Sequence, residues 1–281
     1  MFRLGETPYL ITPDVARSIL DGEESVSLDL GLSEVALACE GERAVLPDGS
    51  TVSLGDLEVI AGRQGAAFFP RDGEVFQVAI SDGHFYKLVP TDGAPTLEVD
   101  GVRMHRTVGV TPDIDARMKL EALGVRGGRV LDTCTGLGYT ALAGLEGGGD
   151  LVVSVELRHE VLRIAAVNPW SQGLFADERV HLLLGDAFDV IEAFPVGFFD
   201  YVVHDPPRFS HAGHLYSGEF YDRLFRVLRE GGRVFHYTGE PGSRYRRVDL
   251  RRGVMRRLRQ AGFTGAEYVR EVFGVVCEKP G

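Results

Sequence analysis

Cysteine is scarce: Cys39, Cys134 and Cys277 are the three in the chain, far apart and in no metal-ligand spacing. That excludes a disulfide framework and reads each as a small buried hydrophobe. Tryptophan occurs once, at Trp170. It follows Asn168-Pro169 where a helix is expected to end, so an anchoring role for its loop is expected. No run of about 18 apolar residues occurs, because charges or glycines interrupt every candidate, and no membrane span is expected. The first residues lack the basic-then-apolar pattern of a secretory leader, which makes the cytoplasm the expected address. Positive charge is short overall, 30 Lys and Arg against 41 Asp and Glu for a net charge of -11. A strong nonspecific grip on nucleic acid by the whole molecule is therefore not indicated.

The basic residues that exist are unevenly placed. Arg244, Arg246, Arg247, Arg251, Arg252, Arg256, Arg257 and Arg259 are opposed locally only by Asp249. Such a segment suits a phosphate-bearing substrate or serves as a solvated helix face, and both readings stay open.

Residues 1–110 read as a β-rich module. Asp-Gly recurs at 48–49, 72–73, 82–83, 92–93 and 100–101 between short apolar or β-branched stretches such as Val75–Ile80 and Phe85–Val89. Asp-Gly favours tight hairpin turns because glycine accepts positive φ at low cost. Thr12-Pro13-Asp14 predicts a helix to Leu20, and Thr111-Pro112-Asp113 a second one to about Leu123, each with a capping Thr and Pro at the first helical position.

From Arg129 strands alternate with helices through residues 111–281. Strands are predicted near 130–131, 151–155, 180–184, 201–204 and 232–237, with helices near 139–145, 159–168, 220–228 and 251–260. Two closing stretches, 267–270 and 272–276, read either as an antiparallel edge or as one long bulged strand. Apolar strands alternating with helices indicate an α/β, Rossmann-like, doubly wound and mostly parallel sheet.

The chemistry concentrates at predicted strand ends. Val130-Leu131-Asp132 runs into Thr133-Cys134-Thr135-Gly136-Leu137-Gly138, a turn whose glycines let backbone approach a ligand closely. Asp132 would repel a phosphate there and suits a cationic amino group. Glu156 closes the next strand, where an acid can accept both ribose hydroxyls. Asp186-Ala187 closes the third, with the carboxylate suited to an adenine amino group and Ala187 offering its amide. The fourth runs into His204-Asp205-Pro206-Pro207-Arg208-Phe209, a turn stiffened by two prolines. Asp205 there can orient a nucleophile, His204 is a candidate base, and the Arg208 fork can hold a carboxylate or phosphate. His211, His214, Tyr216, His236 and Tyr237 are further polar candidates; no metal is expected.

Val130 to Gly239 resembles the class I S-adenosylmethionine-dependent methyltransferases, particularly a group of predicted archaeal methyltransferases. The resemblance implies that S-adenosyl-L-methionine is the cofactor, with its methionine part at Asp132–Gly138, ribose on Glu156 and adenine beside Asp186. It also implies that Asp205-Pro206-Pro207 faces a methyl acceptor, although Arg208 replaces the aromatic of the related nitrogen-methylating tetrad. Methyl transfer to RNA, protein or a small polar metabolite is the leading expectation, and a homo-oligomer is left open. The alternatives are an aminopropyltransferase of polyamine synthesis using decarboxylated S-adenosylmethionine, and a noncatalytic nucleoside-binding protein.

Overall fold

A computed structural model describes residues 7–209, 212–239 and 250–281. His211, and Arg244, Arg246, Arg247 and Asp249 of the arginine-rich segment, lie outside them. The chain packs as two compact units, one running to Pro112 and taking in Glu160–Ala176, the other comprising Asp113–His159 and Asp177–Gly281.

The first unit is built from short antiparallel pieces. Its largest sheet joins His84–Val89 to Ala79–Asp82 on one side and to Thr96–Val99 on the other, with Val102–Arg103 at the edge. Four of the five Asp-Gly pairs join paired strands; Asp92-Gly93 lies instead in the longer link after Val89. Asp72-Gly73 and Asp100-Gly101 have positive φ at both residues, as the tightest hairpin turns require. Helix Pro13–Leu20 is capped by the Thr12 side chain, which accepts from the Val15 amide at 3.2 Å. Ile11, Ile19, Leu28, Leu57 and Ile60 belong to the buried cluster of this unit. Trp170 returns here, its indole Nε1 donating to the Leu30 carbonyl at 3.0 Å, which gives the lone Trp the expected anchoring contact.

The second unit carries a seven-stranded sheet, numbered here in chain order: β1 Arg129–Asp132, β2 Leu151–Glu156, β3 Val180–Leu184, β4 Phe199–His204, β5 Leu228–Tyr237, β6 Thr264–Val269 and β7 Gly274–Glu278. The spatial order is β3-β2-β1-β4-β5-β7-β6, parallel through β5, with β7 antiparallel to both neighbours. This is the predicted Rossmann-like α/β sheet, closed by an antiparallel edge rather than a single bulged strand. The break between β6 and β7 is made at Phe273, whose φ of 49° turns the chain. Phe199, Val202, Phe220, Leu224, Val227, Val234, Leu258 and Val275 are buried in one cluster on the sheet and its helices.

Register decides what meets at the carboxyl edge. Asp132 lies opposite Ser154 on β2 and Val203 on β4, Glu156 opposite Leu184, and His204 opposite His236. Strand order reverses between β1 and β4, the point at which open α/β sheets form a ligand crevice. Among the described residues no helix is long and apolar enough to cross a membrane.

Candidate active site

The turn after β1 is held by side chains that never leave the interior. Thr135 Oγ1 lies 2.7 Å from Ser154 Oγ, Ser154 donates to Asp132 Oδ2 at 2.8 Å, and Thr140 donates to the same oxygen at 3.1 Å. Gly136 and Gly138 have φ of 56° and 84°, the left-handed conformation that glycine tolerates, and Gly138 leads into helix Tyr139–Glu146. Asp132 is fully buried, and its Oδ1 has no hydrogen-bond partner among the described residues. Burial raises its pKa to about 6, against the hydrogen bonds from Ser154 and Thr140. Its side chain is thus closed to direct contact and serves to fix the turn.

Glu156 ends β2 with both oxygens engaged by backbone: Gly136 N donates to Oε2 and Arg158 N to Oε1, each at 2.9 Å. Burial pushes its pKa to about 7, opposed by those amide bonds, while the neighbouring Asp132 charge raises it further. A carboxylate has about four acceptor sites. Two amides leave capacity for a pair of ribose hydroxyls. Beside it Leu157 and Leu184 are exposed apolar residues, an apolar edge next to the acid.

Asp186 ends the turn after β3 as the cap of the short helix Ala187–Val190, accepting from Phe188 N at 2.9 Å. Its carboxylate also meets His214 Nε2 at 3.0 Å, and Ala187 is buried behind it. His214 enters from the Gly213–Tyr216 turn.

Asp205 follows β4 and is partly exposed; Pro206 is buried and Pro207 exposed. Tyr216 donates to the Pro207 carbonyl at 3.0 Å and stacks edge-on with Phe209, 5.4 Å between ring centres, which braces the stiff turn. Asp205 Oδ2 lies 2.5 Å from Lys119 Nζ, and Lys119 also pairs with Asp115 at 2.7 Å. Neither Lys119 nor Asp115 was marked by the sequence. Lys119 stands 86 residues from Asp205 in helix Pro112–Leu123, whose start signal told of a helix and nothing of its contacts.

Two residues expected at the site, His204 and Thr133, have side chains in the interior. His204 is fully buried, with Nδ1 at 2.6 Å from Thr133 Oγ1 and Nε2 at 3.0 Å from the Leu215 carbonyl. The carbonyl can only accept, so Nε2 carries the proton and Thr133 donates to Nδ1. Burial lowers the imidazole pKa to about 3. The ring is neutral and both nitrogens are spent inside, so it is a core group rather than a base. Thr133, a residue of the expected cofactor turn, points its hydroxyl inward to His204. His236 is likewise buried, donating from Nδ1 to the Tyr237 carbonyl and accepting from the Tyr221 hydroxyl, each at 2.8 Å. Arg208 is exposed at the tip of the turn.

The carboxyl edge thus carries four acids on successive strands, one with an orphaned buried oxygen, around a glycine turn. This set fits a cationic nucleoside bearing hydroxyl donors.

Comparison with known proteins narrows the reading. The uncharacterized protein MJ1233 of Methanocaldococcus jannaschii is 47% identical over 282 residues, covering 98% of this chain and 96% of that protein. The chain belongs to the same family. A family model described as the spermine/spermidine synthase domain matches residues 150–268. Polyamine aminopropyltransferase 2 of Streptomyces coelicolor is 34% identical over 36% of this chain and 22% of its own length. The crystal structure of spermidine synthase from Thermotoga maritima shares the fold at a TM-score of 0.58 and 18% identity, covering 74% of this chain and 75% of that one. A putative ribosomal RNA large subunit methyltransferase of Methanocaldococcus jannaschii is 32% identical over 56% of this chain and 39% of its own length. The chain thus shares its fold with spermidine synthase, and residues 150–268 are related in sequence to the synthase domain. The methyltransferase expectation is thereby corrected, because the family model that matches is the synthase domain.

Proposed function

We propose that this chain transfers an aminopropyl group from decarboxylated S-adenosylmethionine to an amine. The observation that carries the reading is the synthase-domain match over residues 150–268, a span that contains Glu156, Asp186 and Asp205. The chemistry of the edge agrees. The decarboxylated donor bears a sulfonium and an ammonium and no carboxylate, so an edge rich in acids attracts it without meeting a like charge.

When bound, the donor supplies a carbon made electrophilic by its sulfonium. The chain's own residues do the rest by binding and alignment. Glu156 accepts from the ribose hydroxyls, and the turn after β3 borders the adenine. The Gly136–Gly138 backbone admits the tail of the donor into the field of Asp132. Asp205 accepts an N–H of the acceptor amine and so aims its lone pair. As the new N–C bond forms, the C–S bond breaks and sulfur keeps that electron pair. The nitrogen then sheds one proton, for which Asp205 is the adjoining acceptor.

The test incubates the full chain with decarboxylated S-adenosylmethionine and a panel of aliphatic diamines and triamines, in parallel with S-adenosylmethionine. Release of methylthioadenosine with an alkylated amine, from the decarboxylated donor only, is expected. Asp205→Asn should lower kcat by about 100-fold or more while donor Kd, measured by calorimetry, changes little. Absence of that thioether with every amine overturns the reading.

A further inference from the structure

The least expected feature of the second unit is a lysine sealed between two carboxylates. The side chains of Asp115, Lys119 and Asp205 are 2%, 6% and 22% exposed, so Asp205 is the member through which the trio reaches solvent. Lys119 also lies 4.8 Å from the centre of the Tyr237 ring, at the end of β5. An isolated ammonium in such a place would lose its proton. Here burial does act in that direction, and the charges of Asp205 and Asp115 outweigh it and hold Lys119 protonated. Asp115 sits one helical turn before Lys119, so helix Pro112–Leu123 presents the ammonium as a fixed group.

From this geometry we infer that Lys119 is the positioning residue for Asp205. It fixes one carboxylate oxygen at the end of β4 and thereby sets the direction in which the exposed part of the group meets an acceptor amine. The inference rests on the aminopropyl-transfer reading and deepens it. Pairing also tunes recognition. With Asp115 and Lys119 cancelling, the trio presents a net single negative charge, carried by Asp205. That suits one amine nitrogen at a time, where two free acids would hold a polycation without orienting it. The two prolines restrict the backbone after Asp205, and Lys119 restricts its side chain, so together they define one geometry.

The experiment compares wild type, Lys119→Met and Lys119→Met/Asp115→Asn. The double variant removes the buried pair together and leaves no unpaired Asp115 charge, so it guards against a result caused by misfolding. Thermal melts establish folding, calorimetry gives Kd for the decarboxylated donor, and steady-state assays give kcat and KM for the amine. Expected is a kcat lower by about 10- to 100-fold in both variants, with donor Kd unchanged and a raised KM for the amine. A purely structural role would lower the melting temperature and leave kcat of the folded protein intact. A folded double variant with wild-type kcat and amine KM overturns the inference while the aminopropyl reading stands. Failure of wild type to turn over or bind any amine overturns that reading and this inference with it.

Discussion

Glu156 concentrates the tension of the site in one side chain. On the proposed reading it must be ionised to hold a cationic nucleoside, yet burial and the Asp132 charge raise its pKa to about 7. A raised pKa in an acid means that the native state binds the proton more tightly than the unfolded chain does. Between the unfolded value of 4.5 and about 7, stability is therefore lost as pH rises, and the full cost is present above 7. Glu156→Gln removes that cost. At pH 8 the ligand-free variant is expected to melt several degrees above wild type, by about 2–4 °C per kcal/mol recovered, with the advantage vanishing by pH 4.5. Donor Kd should rise by about tenfold or more, since a neutral amide accepts the ribose hydroxyls less strongly. Calorimetry showing unchanged donor affinity would remove Glu156 from the ribose site.

The turn between β1 and helix Tyr139–Glu146 is the element on which the site depends. Its conformation needs positive φ at Gly136 and Gly138, and its floor is the Thr135–Ser154–Asp132 chain of hydroxyl and carboxylate groups. Gly138→Ala places a Cβ at φ 84° and is expected to cost about 1 kcal/mol, lowering the melting temperature by a few degrees. Donor affinity should fall by more than that cost alone explains, because the amides lining the turn move. A variant binding donor as wild type does would show that the turn is not part of the cradle. The proline turn after β4 works by different means: the prolines remove freedom, Tyr216 ties the Pro207 carbonyl, and Lys119 fixes Asp205.

Across the whole molecule, opposing buried groups shape the response to acid. His204 and His236 stay neutral in the fold, so the unfolded chain binds two more protons than the native one below the ordinary value of 6.5. Their stabilising contribution is complete above 6.5 and is lost as pH falls, for His204 down to about 3. Asp132 and Glu156 act in the opposite sense, taking up protons in the native state below about 6 and about 7. Between about pH 6 and 4.5 these four contributions cancel. The fold is expected to hold nearly constant stability there and to lose it steeply below about pH 4. Glu156→Gln unbalances the set by one proton, giving a slope of about 1.4 kcal/mol per pH unit over the same window. Urea titrations at half-unit pH steps check both slopes; a flat Glu156→Gln profile refutes the assignment.

Local order along the chain by itself determined the Rossmann-like half, because buried parallel strands must be continuously apolar and stretches of helical pattern alternate with them. It also marked the hairpins, since Asp-Gly states its turn directly, and it placed Asp132, Glu156, Asp186 and Asp205 at strand ends, the residues that follow each apolar run. What only the tertiary structure decided is how those polar groups are spent. His204 and Asp205 are neighbours in the chain, yet the last residue of the strand puts its ring into the core while the first residue beyond it keeps its carboxylate partly exposed at the edge. Lys119 carries no motif at all. Its role arises from a contact across 86 residues, set by packing and register rather than by anything in its own helix.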